Sequence, residues 1–266
     1  MQVVRFALLI LFLISFSGAL PAREVPALHV KISVSPEVKP SFIKGGRLIL
    51  YLSRQQHKQP RNGFDLVFGV TPGNWDGSSD FTLDICSTNV ISAGPVEEFL
   101  SSSQQFYYQV LYKQNPDDGQ ENVPANLFSA MDSTVYSAQL KLNLKLNAVI
   151  PPYEIVQHQF VKSVVIQSKY LSEFSGHSRY LKASVLLPAS FFEKPEKSYP
   201  VCYRIPGLNG RYNGVNRMIN DKQFSDWWFS GNAPQVIYVF LDSQGPYGDT
   251  YQVDSENNGP CGKALT

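Results

Sequence analysis

The chain has 266 residues, 43% of them hydrophobic and 13% aromatic, and its 23 Lys and Arg nearly balance 22 Asp and Glu. This composition is globular and excludes collagen-like, coiled-coil and low-complexity chains. With 17% charged residues and no long basic run, nothing in the charge argues for nucleic acid or an anionic membrane surface as a partner.

Arg5 precedes an unbroken apolar run from Phe6 to Ile14, followed by Ser15, Ser17, Gly18 and Ala19 and then Leu20-Pro21-Ala22. The run is far shorter than the roughly 20 residues that span a bilayer, and the small residues after it suit cleavage, so residues 1–22 predict a secretory signal peptide. The product is expected to be secreted or periplasmic, with no membrane contact after cleavage. Losing this segment removes Arg5 and no acid, which leaves the mature chain neutral. Cys86, Cys202 and Cys261 form an odd set without C-x-x-C spacing and allow at most one disulfide. His29, His57, His158 and His177 are scattered, with no pair spaced for zinc, and are read as surface or hydrogen-bonded structural residues.

From Ala27 to Gln167 short runs of β-formers alternate with Gly, Pro, Asn and Asp. His29 to Val34, Arg47 to Ser53, Phe64 to Val70, Phe81 to Cys86, Phe106 to Lys113, Ala138 to Val149 and Phe160 to Ile166 are the predicted strands. Leu140, Leu142, Leu144 and Leu146 alternate with Lys141, Asn143, Lys145 and Asn147, which gives one buried face and one wet face. Breaks at Pro72-Gly73, Gly94-Pro95 and Asn115-Pro116-Asp117-Asp118-Gly119 complete the pattern of an Ig-like β-sandwich, assigned to residues 23–155. An open sheet continuous with the following domain is the alternative.

Past His177 the texture becomes strand, loop, helix, strand. Leu181 to Leu187, Tyr199 to Ile205 and Gln235 to Leu241 predict buried sheet strands. Between Gly214 and Gly231, Val215, Met218, Ile219, Phe224, Trp227 and Trp228 recur at helical spacing, so this stretch predicts one helix stopped by Gly231. The two Trp residues are read as core packing. In open parallel sheets function gathers outside the carboxyl ends of strands. Two loops occupy that place. Ile205-Pro206-Gly207-Leu208-Asn209-Gly210 can turn sharply and present backbone amides to a developing oxyanion, although Pro-Gly and Asn-Gly are also ordinary turn pairs. Asp242 to Gly262 is long, rich in Gly and Pro, and carries Tyr247, Asp249, Tyr251, Asp254 and Asn258.

The run Tyr199-Pro200-Val201-Cys202-Tyr203-Arg204-Ile205-Pro206-Gly207-Leu208-Asn209-Gly210 resembles a stretch of the esterase family of α/β-hydrolases that includes esterase D and enterochelin-esterase-like proteins. Gly245 to Ser255 with Asn258-Gly259-Pro260 is similar to the loop near the active site of secreted members with an N-terminal β-domain, and Val185-Leu186-Leu187-Pro188 to the strand before it. Gly46 to Ser53, Gln59-Pro60-Arg61 and Asn126-Leu127-Phe128-Ser129 also resemble that β-domain. Pro206 stands where the family usually has His, and Asn209 where it often has Gly. The resemblance implies a serine esterase acting through an acyl-enzyme, with the front part of an α/β-hydrolase domain over residues 156–266 and no metal or organic cofactor. It further implies an oxyanion donor at the backbone of Leu208 and a pocket for a small-molecule or glycan acyl ester shaped by Gly207, Tyr247, Tyr251 and Asp254; loop packing alone would also account for these residues.

Such an enzyme needs a Ser on a G-x-S-x-G elbow, then an acid, then a His. The chain has no G-x-S-x-G, and its last histidine is His177. Gly176-His177-Ser178 imitates the motif but precedes the oxyanion strand, and is read as a decoy. The hydrolase portion is therefore expected to be incomplete and the chain as given inactive. In that fold the Val201 to Ile205 strand lies between the Val236 strand and the nucleophile strand, so its outer edge is expected to be unpaired. The alternative reading is a non-catalytic exported protein whose β-sandwich binds a glycan or a protein partner.

Overall fold

The computed structural model describes residues 27–56, 59–101, 104–137 and 140–266. The expected signal peptide, His57 and Ala138, the start of one expected strand, lie outside these residues. The described chain is mostly β-structure in two hydrogen-bonded sheets and one short hairpin.

The first sheet is built from β1 (Leu28–Val34), β2 (Arg47–Ser53), β3 (Leu66–Val70), β4 (Phe81–Asp84) and β5 (Ile91–Ala93), then, after α1 (Val96–Ser101), from β6 (Gln105–Lys113), β7 (Leu127–Ser129), β8 (Asp132–Val135) and β9 (Leu140–Val149). Its order is β4-β1-β9-β7-β6-β2-β3-β5, with β8 also on β6. β1 runs parallel to β9, while the other pairs are antiparallel, so the sheet is mixed. β7 joins the two arms by pairing with both β6 and β9, and the register slips between Phe128 and Ser129. A slip of this kind bends a strand and sharpens its twist, which lets a single sheet curl over its own core. That core draws on both arms: Val30 and Ile32 from β1, Leu142, Leu144 and Leu146 from β9, Leu50 and Leu52 from β2, Phe68 from β3 and Phe106 from β6.

β9 follows its sequence pattern, with Leu142, Leu144 and Leu146 buried and Lys141, Asn143, Lys145 and Asn147 exposed. β2 departs from simple alternation, because every residue from Leu48 to Ser53 is buried. The cause is a second apolar layer on its outer face, where Ile49, Tyr51 and Leu111 pack with Val67, Phe128 and Ile150.

The second sheet contains β10 (Val161–Ser168), β11 (Arg179–Leu186), β12 (Val201–Arg204) and β13 (Ile237–Leu241), in the order β10-β11-β13-β12. β11 is antiparallel to β10 and β13, whereas β12 is parallel to β13. The Phe160 to Ile166 strand, met in sequence at the end of the β-rich stretch, thus belongs to the second sheet. α2 (Lys169–Ser175) links β10 to β11, capped at its start by the Ser168 hydroxyl, which accepts from the Leu171 amide at 3.3 Å, and at its end by Gly176 with φ 74°.

Between β12 and β13 the expected single helix is two, α3 (Val215–Asn220) and α4 (Lys222–Phe229). The break falls at Asp221, whose carboxylate accepts from the Phe224 amide at 3.1 Å and starts a fresh helix. Gly231, with φ 83°, follows the end of α4. Trp228 is buried against Leu186, Val215 and Phe240 and donates its indole N–H to the Leu187 carbonyl at 3.0 Å. Trp227 is half exposed, so only one of the pair serves the core. β14 (Asp254–Ser255) and β15 (Gly259–Pro260) form the hairpin.

The opposite face of the second sheet has little cover among the described residues. Val164, Ala183 and Leu241 are in register across it, as are Val185, Val239 and Tyr203. They line a groove of about 420 Å³ bordered by Ala264, Leu265 and Thr266. β12 is the last strand of its sheet, and Val201, Tyr203 and Ile205 are 47%, 64% and 53% exposed.

Candidate functional site

The loop from Ile205 to Arg211 leaves the carboxyl end of β12 and turns back on itself, with the Gly210 amide donating to the Gly207 carbonyl at 2.9 Å. Asn209 has φ 59°, a left-handed conformation that Asn tolerates better than most residues. A Cβ on Gly210 would lie 2.4 Å from the Pro206 Cβ, so the turn requires glycine there. Gly207 faces open space, and Leu208 at the tip is 76% exposed. Among the described residues the Leu208 amide donates no hydrogen bond, whereas the Asn209 amide donates to Asp249. The loop, the start of α3 and the ends of β12 and β13 enclose a cleft of about 400 Å³ lined by Gly207, Leu208, Asn209, Arg204 and Arg217 among others.

The expected oxyanion donor Leu208 lines this cleft, and of the residues expected to shape a pocket Gly207 does so and Tyr247, Tyr251 and Asp254 do not. Tyr247 is 76% exposed, with its amide donating to the Asn258 side chain at 3.2 Å. Tyr251 and Gln252 have φ values of 48° and 59°, and the Tyr251 amide donates to the Ser243 hydroxyl at 3.1 Å. Asp254 accepts from the Lys263 amide at 3.0 Å in the hairpin. These contacts hold the Asp242 to Gly262 loop together. Asp249 is the residue that couples it to the glycine loop, because it also accepts from Arg211 at 2.9 Å.

Arg211 is the centre the sequence reading missed. Its side chain is 5% exposed and meets Asp118 at 3.2 Å, Asp249 at 2.9 Å and Asp242 at 3.8 Å. Burial alone would lower the Arg211 pKa, but the three carboxylates, Asp249 foremost, outweigh it and raise it. Asp242 carries the cost of the crowding. Burial pushes its pKa from 3.8 up to about 6 despite Arg211, and neither of its carboxylate oxygens has a hydrogen-bond partner. Tyr153 borders the cluster and packs edge to face on Tyr212, and burial raises its pKa as well.

Asp118 comes from the first sheet's side of the molecule. Beside it, Asp117 forms an ion pair with Arg179 at 3.1 Å and contacts His177 at 2.8 Å, and the Gly119 amide donates to the Gly245 carbonyl at 2.7 Å. A Cβ on Gly119 would meet the Gly248 nitrogen at 2.8 Å and the Pro246 oxygen at 2.9 Å, so only glycine allows this approach. The Asp117-Asp118-Gly119 run, which in sequence looks like a plain turn, therefore fastens the two sheets' loops together. Adjacent acids ahead of a Gly were the available signal, and nothing local distinguished them from an Asx turn.

His177 is committed to Asp117 and Gly176 caps α2, so Gly176-His177-Ser178 sits on a helix-to-strand turn, the reverse of a nucleophile elbow. Cys86 is exposed, and Cys202 and Cys261 are free thiols, the first exposed and the second buried. Among the described residues no group of three or more His, Cys, Asp or Glu is placed to hold a metal ion, and no helix is long and apolar enough to cross a membrane. Compared with protein-family models and with curated proteins, the chain matches none.

Proposed function

We propose that this chain forms the front strands and the oxyanion corner of an exported serine ester hydrolase. The observation that carries the reading is the glycine loop at the carboxyl end of parallel strand β12, with an unengaged amide at Leu208 beside an open cleft. The strand order β10-β11-β13-β12, with β11 alone reversed, supports an α/β-hydrolase sheet. The curled first sheet, one core under two arms, is taken in the same reading as an Ig-like sandwich.

In the proposed reaction a Ser hydroxyl attacks the ester carbonyl carbon while a His accepts its proton. The carbonyl oxygen becomes an oxyanion held by the Leu208 N–H, and collapse of this intermediate expels the alcohol and leaves an acyl-enzyme for water to cleave. A serine on a G-x-S-x-G elbow, and any histidine after the glycine loop, are not found in these 266 residues. The reading assigns the oxyanion donor and leaves the triad unassigned.

The test uses the protein expressed from its own gene, with a p-nitrophenyl ester as substrate. Leu208→Pro removes the amide and is expected to lower kcat by about 10²–10³ with KM little changed, whereas Leu208→Ala keeps the amide and most of the rate. A folded protein that cleaves no ester, or a Leu208→Pro variant at full kcat, refutes the reading.

A further inference from the structure

We infer that the cleft beside the glycine loop binds a small oxyanion, a carboxylate or phosphate group, through Arg204 and Arg217. Arg204 lies on β12, half-buried. Its guanidinium is over the Phe240 ring, 5.5 Å from the centroid, and one nitrogen contacts the Met218 sulfur at 3.6 Å. These neighbours cover a face of the guanidinium and leave its charge unmatched, and among the described residues neither Arg204 nor Arg217 pairs with a carboxylate. A half-buried cation without a counter-charge is costly unless a ligand supplies one.

The surroundings of the cleft agree. No acidic residue lines it. Arg211 also borders it, but that charge is met by Asp118 and Asp249. Asp249, the carboxylate bonded to the loop, is 1% exposed and already engaged by Arg211 and the Asn209 amide. Asp242 borders the groove on the other sheet face. What remains along the cleft is Arg204, Arg217, Asn209, Asn213 and the free amide of Leu208, a set of donor-bearing residues around one space. A guanidinium edge presents two parallel N–H donors to paired oxygens, the geometry that carboxylate and phosphate share. Under the ester-hydrolase reading, on which only this corollary rests, the substrate carries a negative charge close to its scissile ester.

Calorimetric titration of the full chain at low salt tests the site, with succinate and inorganic phosphate as separate probes and diethyl succinate as the uncharged control. Saturable binding of succinate or phosphate is expected, and the probe that binds more tightly names the group. Arg204→Gln and Arg217→Gln are each expected to weaken it by about tenfold or more. Arg204→Lys, which keeps the charge and loses the fork, should also bind more weakly than the parent chain. Arg217 is exposed on α3, so its variant keeps the fold even if Arg204→Gln does not. The inference is overturned if neither anion binds saturably, if Arg217→Gln binds as tightly as the parent chain, or if diethyl succinate binds equally well. Because binding needs no triad, failed hydrolysis leaves this result standing, and failed binding leaves the Leu208 test standing.

Discussion

At the scale of single residues, the most informative group is the Asp242 carboxyl, buried with neither oxygen hydrogen-bonded and Arg211 3.8 Å away. Its pKa is raised from 3.8 to about 6, chiefly by burial. In the folded chain it holds a proton over a pH range where the unfolded chain has lost it. Stability from this group is therefore fully present below about pH 4, falls as pH rises, and is lost above about pH 6. Asp242→Asn removes the penalty for ionisation and leaves Arg211 with Asp118 and Asp249. The variant is expected to be more stable than the parent chain at pH 8 by about 1–3 kcal/mol. The difference should shrink to near zero at pH 4. Urea unfolding at the two pH values measures it, and an equal or lower midpoint for the variant at pH 8 would contradict the assignment.

At the scale of elements, the split between α3 and α4 depends on a capping carboxylate. Asp221→Ala loses the bond to the Phe224 amide and is expected to cost about 1 kcal/mol in chemical denaturation. Asp221→Asn, which can still cap, should recover most of that loss, and an unchanged Asp221→Ala would show that packing of Phe224 and Trp228 alone sets the break. This element also shows where sequence reading ends. The apolar spacing across residues 215–229 is helical throughout, and only the side-chain bond of Asp221 decides that two axes replace one. From Leu140 onward β9 was legible, because alternate leucines mean one wet face. β2 was legible as a strand but not as doubly buried, since Ile49 and Tyr51 reveal their outer layer only after Leu111 and Phe128 are brought across the sheet. The short strands β5, β7 and β8 carry too few residues for any period to register. In the candidate site, the glycine loop was legible from its turn chemistry. Arg211 was not, because its partners lie far from it in the chain, Asp118 at a separation of 93 residues and Asp249 at 38, and meet it only in the folded state.

At the scale of the whole molecule, the two sheets differ in how much they need each other. The first has a core spanning both arms and a second apolar layer on its outer face. The second packs one face on α3 and α4, and its β12 edge and opposite face expose Val201, Tyr203 and Ile166. It also keeps two buried guanidiniums that each meet a carboxylate from the first sheet's side. Arg179, with a side chain 4% exposed, pairs with Asp117, and Arg211 shares Asp118. Separating the two halves leaves Arg179 buried without its partner, and losing one partner of a buried pair costs about 3–5 kcal/mol. Residues 27–155 expressed alone are therefore expected to unfold in one cooperative transition. Residues 156–266 alone should bind a hydrophobic dye such as anilinonaphthalene sulfonate and show no sharp thermal transition. In the joined chain, Asp117→Asn combined with Asp118→Asn should lower the melting temperature of the second part while leaving that of the first nearly unchanged. A sharply melting, dye-free fragment of residues 156–266 would show that the second sheet stands without the Asp117-Asp118 contact.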